Sequence, residues 1–133
     1  MKYSMQMLVA GDLLALGVVT VVGFATHGEA GLALLPRMLT TFLPLSISWV
    51  LIAILLGLFS PQITSNPRQL WLPVAAMLFA GPLAVIIRAM LLNTVVLPIF
   101  ALVLSASAGL GMLVWRTLWY GLWRQFRKRA ASA

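Results

Sequence analysis

From Leu70 to Val114 the chain is apolar almost without relief, and between its two candidate spans only Asn93-Thr94 interrupts it. A helix needs about 20 apolar residues to cross the hydrocarbon of a bilayer. That run is therefore long enough to cross twice, as spans of about 70–92 and 95–120 joined by a very short turn. Two earlier stretches qualify as well. One covers about 5–26. The other covers about 38–59, opened by Pro36 and closed by the polar break SPQITSNPRQ at 60–69. Pro82 falls mid-span, where a proline kinks a helix. Pro44, Pro73 and Pro98 fall nearer the expected helix starts.

Composition leaves no soluble alternative. Of 133 residues, 62% are hydrophobic and 8% charged, against about 25% charged in soluble domains. A chain this small cannot hide such an excess in a core, so lipid must be its solvent. The predicted fold class is all-α: an integral membrane four-helix bundle with antiparallel up-down topology and both termini on the same side. Residues 1–123 form one membrane domain and 124–133 a basic cytoplasmic tail. Lys2 gives a weak positive start, but Asp12 interrupts the apolar stretch and the stretch is too long for a signal peptide. The segment is read as a retained first helix.

Four of the nine basic residues are Arg124, Arg127, Lys128 and Arg129. A basic tail directly after a span sets orientation and touches anionic headgroups, and this placement argues against nucleic acid as a partner. Lys2, Arg68 and the tail fall on one side, Arg37 and Arg88 on the other. The bias places both termini in the cytoplasm and the chain in the cytoplasmic (inner) membrane. No cysteine is present, so thiolate metal sites and cysteine nucleophiles are excluded.

Asp12 needs an explanation, because an aspartate in a span costs about 2.5–3.5 kcal/mol. It lies about 10 Å in from the near end of the first span, at 1.5 Å per residue, and Arg116 lies within about 4 Å of that depth. An Asp12–Arg116 ion pair and a protonatable site whose proton exchange drives transport are both open. His27, Glu29, Arg37 and Arg88 form a polar cluster on the other side, with Glu29 the available counter-ion. His27 is an interfacial residue, a proton relay or an axial ligand to a tetrapyrrole; no resident cofactor or catalytic metal is expected. Trp115, Trp119 and Trp123 recur every fourth residue and, with Arg124, Arg127, Lys128 and Arg129, read as interface anchors. Trp49, mid-span, carries an N–H in want of an acceptor. Ser105 and Gly109, then Ser107 and Gly111, are small residues four apart that let helices approach closely, within the bundle or against another chain. Gly11, beside Asp12, leaves room for the fourth helix.

Gly11-Asp12, His27, Arg88 and Trp115-Arg116 together resemble a family of small four-helix prokaryotic membrane proteins catalogued as domain of unknown function 3054. The resemblance spans nearly the whole chain. It implies a membrane fold and marks Asp12, His27, Arg88 and Arg116 for testing, but it supplies no chemistry. The chain is also similar to small multidrug exporters in length and in its single embedded acid, which is a glutamate there. With no evident nucleophile, metal cluster or phosphate loop, an enzyme is not expected. The expected role is an accessory, assembly or scaffold subunit of a larger membrane complex, touching lipid and other membrane subunits or itself. The alternative is an oligomeric proton-coupled transporter or channel using Asp12.

Overall fold

A computed structural model describes residues 2–26, 28, 35–64 and 66–132. Its elements are α1 (Lys2–Thr26), α2 (Leu35–Leu56), a single turn α3 (Pro61–Thr64), α4 (Trp71–Leu92) and α5 (Pro98–Ser132). Four of these helices are long and apolar enough to cross a membrane. No strand occurs among the described residues.

Helix boundaries follow local chemistry. Helix α2 stops at Gly57, whose φ of +68° is easy only for glycine. There the Gly57 N–H donates to the Ile54 carbonyl and the Leu58 N–H to the Ala53 carbonyl, the paired bonds of a Schellman cap. Helix α4 ends the same way on Asn93, at φ +52°, with the Thr94 N–H returning to the Ala89 carbonyl. Helix α5 begins on Pro98, where a missing N–H costs nothing. The Asn66 side chain accepts from the Arg68 N–H and caps a 3₁₀ turn over Pro67–Gln69.

Several boundaries differ from those expected, among them the start of α1 at Lys2 rather than near residue 5 and the end of α2 at Leu56 rather than near 59. Helix α2 starts at Leu35 rather than near residue 38. Pro44 therefore stands well inside it, buried, and not near its start. The last helix starts at Pro98, since Val95–Leu97 carry no helix, and runs on to Ser132 with no break at residue 124. Arginine, lysine, glutamine and alanine are good helix formers, so the loss of apolarity there does not end the helix. At 35 residues α5 is about 52 Å long, well beyond the hydrocarbon thickness of about 30 Å.

Helix α1 packs against α2 and α5, and α4 packs against the same two. The core is built of Leu45, Trp49 and Ala53 from α2, Ala76, Met77, Ala80 and Ala84 from α4, and Ala108 and Met112 from α5. Leu16 is the fully buried contribution of α1 to it. Alanines along α4 let α2 and α5 come close, which is how helices associate where lipid offers no hydrophobic drive. Outward-facing Leu14, Val18, Ile54, Leu55, Leu78, Phe79 and Leu102 are exposed and suit a lipid solvent.

Candidate functional site

One polar centre joins three helices. Asp12 comes from the first half of α1, Trp49 from α2, and Trp115 and Arg116 from α5. Asp12, Trp49 and Arg116 are 0%, 0% and 2% exposed. Arg116 binds the carboxylate in bidentate fashion, Nε to Oδ1 at 3.0 Å and Nη2 to Oδ2 at 2.7 Å. Each oxygen takes a second bond from an indole: Trp115 Nε1 donates to Oδ1 at 2.8 Å and Trp49 Nε1 to Oδ2 at 3.1 Å. The remaining arm of Arg116, Nη1, donates to the Leu58 carbonyl at 3.0 Å.

That arrangement answers the desolvation of two charges in one place. A fork-on-fork pair gives the strongest charge-assisted geometry, and a buried pair is tolerable only when the leftover lone pairs and protons also find partners. Here the indoles take the remaining lone pairs. The rings of Trp49 and Phe59 each lie 5.8 Å from the Arg116 guanidinium carbon, within cation–π range. A carboxylate so held ties α1, α2 and α5 together through its hydrogen bonds.

Local sequence explains how the parts reach each other. A side chain at Gly11 would collide with the Trp115 indole, so the glycine seats that ring beside the carboxylate. Gly57 turns the chain so that Leu58, 0% exposed, faces inward and offers its carbonyl. Trp115 thus parts company with the other two tryptophans of its stripe. All three are half-buried, and it is Trp115 that donates to Asp12. Trp115 and Trp119 still touch, with ring centroids 5.9 Å apart, and Arg127 stacks over Trp123 at 4.8 Å. Arg124, Lys128 and Arg129 are exposed along the end of α5.

Three of the four small residues on α5 contact neighbouring helices of the bundle. Ser105 lies against Gly81 of α4, Gly109 against Val74 and Met77, and Gly111 against Val19 of α1. Ser107 is exposed and donates to its own helix at Val103. The acceptor for Trp49 is Asp12; Ser46 and Ser48 have buried hydroxyls with no hydrogen-bond partner among the described residues.

At the end of the bundle where α1 and α4 finish and α2 and α5 begin, Arg37 and Arg88 line one cleft of about 480 Å³. Arg88 lies 5.3 Å over the Phe100 ring. His27 and Glu29, the other members expected in this cluster, lie outside the described residues. No group of three or more metal-ligating side chains occurs among the described residues.

These features define a class: small helical proteins with four apolar helices long enough to cross a membrane and a buried ion pair between them. Within it, the chain belongs to the family described as protein of unknown function (DUF3054), whose model matches residues 9–119. No curated protein and no solved structure matches the chain.

Proposed function

We propose that the chain is a non-catalytic accessory, assembly or scaffold subunit of a larger membrane complex. The observation that carries this reading is the saturation of Asp12. A proton-coupled carrier needs an acid that alternates between solvent and solute. This acid has no exposed surface and accepts four bonds from three side chains. It fits a rigid frame better than a moving part.

The same reading places the bundle up-down and antiparallel. Asp12 meets Arg116 and Val19 meets Gly111, while Val74 meets Gly109 and Gly81 meets Ser105, pairings that support opposite directions for α1 and α5 and for α4 and α5. Basic residues at Lys2, Arg68 and 124–129 support a cytoplasmic location for both termini in the cytoplasmic membrane. The exposed apolar face of α1, with Leu14, Val18 and Val21, is the surface offered to a partner subunit. Of the four spans that of α1 is the least buried inside the bundle, 22% against 39% for Leu35–Leu55 and Pro67–Leu92.

The test combines association with transport. The chain is extracted from its native membrane in mild detergent with photocrosslinking residues placed at Leu14 and Val18. One membrane protein recovered at fixed stoichiometry from these positions, and not from Leu78 or Leu102, is expected. A chain that crosslinks to nothing, and whose proteoliposomes carry a proton flux abolished by Asp12→Asn, would overturn the reading in favour of a carrier.

A further inference from the structure

We propose that the cleft walled by Arg88 and Arg37 binds an anionic amphiphile, an oxyanion headgroup carried on an apolar chain. The inference goes beyond the subunit role and does not depend on it. The chain has two acidic residues, and Asp12 is committed to Arg116. Glu29 alone is left to set against Arg37 and Arg88, so this end of the bundle holds a surplus positive charge whatever Glu29 does.

Two donors in this region also lack acceptors. The Thr41 hydroxyl belongs to a residue only 4% exposed and has no hydrogen-bond partner among the described residues, and the buried Nε of Arg88 has none among them either. Both residues line the same cleft, beside Arg37. Buried donors are normally satisfied, and an exception calls for an explanation. A headgroup oxyanion supplies acceptors to both and charge to the arginines at once.

The rest of the wall tells against a free inorganic ion. Val19, Phe24, Phe100, Val103 and Leu104 make most of the lining apolar. The other hydroxyls there are already turned to the backbone, Thr20 to Leu16 and Ser107 to Val103. A cleft of about 480 Å³ between charged rim and apolar wall suits a headgroup with the first part of its chain.

The full-length chain, stripped of lipid in detergent, is titrated with dioleoyl phosphatidylglycerol, dioleoyl phosphatidylcholine and inorganic phosphate, and adducts are counted by native mass spectrometry. One phosphatidylglycerol is expected to bind more tightly than phosphatidylcholine. Arg88→Gln is expected to weaken that adduct about tenfold and Thr41→Val about threefold. A variant with Arg124, Arg127, Lys128 and Arg129 all changed to Gln keeps it. Retention of the preference in Arg88→Gln, or its loss in the tail variant, overturns the proposal. Inorganic phosphate binding as tightly as the lipid overturns the amphiphile in favour of a free ion. Should Arg88→Gln fail to fold, Thr41→Val decides: unchanged phosphatidylglycerol affinity there overturns the site.

Discussion

Arg116 and Arg88 sit in one small bundle under opposite rules. Arg116 is sealed, and all three of its nitrogens donate, two to Asp12 and one to the Leu58 carbonyl. Arg88 is half-buried, shares a cleft with a second arginine and keeps a buried Nε without an acceptor among the described residues. Both cost desolvation. Only at Arg116 does the protein itself return that cost, through a carboxylate, two indoles that hold the carboxylate, and a backbone carbonyl. The difference teaches where rigidity lies: the Asp12 end is closed by its own chain, and the Arg88 end is open to something else.

The sharpest break of this comparison is the same substitution at both positions. Arg116→Gln strands Asp12 in a dry site, and breaking one partner of a buried pair costs about 3–5 kcal/mol. Thermal unfolding in detergent should show it as the largest loss of any single polar substitution. The double variant Asp12→Leu/Arg116→Met removes both charges and is expected to recover most of that loss. A double variant no better than Arg116→Gln would put the cost in packing rather than in the unpaired charge.

Next in size are the indoles. Trp49→Phe and Trp115→Phe each remove one bond to a charged acceptor, worth about 1.5–3 kcal/mol. Trp49 is wholly buried and its ring also faces Arg116, so its replacement should cost more than that of half-buried Trp115. Equal and negligible losses in the unfolding midpoint would mean that Arg116 alone satisfies the carboxylate.

A smaller effect is expected at Gly57. Its φ of +68° costs an alanine about 1–2 kcal/mol, and the cap it forms sets the direction of the Leu58 carbonyl. Gly57→Ala should lower the unfolding midpoint, and it should lower it less when Arg116 is already Met. Additive losses in the two backgrounds would show that cap and guanidinium are not coupled.

Most of the frame was readable before any coordinates, and the reason is physical. Spans follow from length and apolarity, and a charge in a span demands a partner at its own depth, which singles out Arg116 for Asp12. What escaped depends on rotation about helix axes and on backbone direction. Trp115 follows a four-residue stripe with Trp119 and Trp123, and only the glycine at position 11 hinted that its ring needed a seat. Trp49 announced a missing acceptor without saying which helix would bring it. The Leu58 carbonyl left one trace, a glycine near the end of the apolar run over 38–59. The extension of α5 to Ser132 was hidden because a switch from apolar to basic residues changes the solvent a helix meets, not its propensity. Helix α2 starting at Leu35 moved Pro44 inward, and a proline tolerated there reflects tertiary packing overriding local preference.

The smallest stability effect belongs to Arg88, and there the comparison can be sharpened most. In lipid-free detergent Arg88→Gln should change the free energy of unfolding by no more than about 0.5 kcal/mol, the range of substitutions that break no satisfied network. The substitution removes one of two like charges lining a common cleft, along with a buried donor that has no acceptor, while it forfeits the stacking of Arg88 on Phe100. These contributions oppose one another. Adding dioleoyl phosphatidylglycerol should then separate the proteins, since a ligand that binds only the folded state raises stability with its concentration. The wild-type midpoint is expected to begin its rise at about a tenth of the lipid concentration that Arg88→Gln needs, and Arg116→Gln, though much less stable, should rise at the wild-type concentration. A loss in lipid-free Arg88→Gln as large as that in Arg116→Gln would mean that Arg88, too, is a strut, and that the two ends of the bundle obey the same rule.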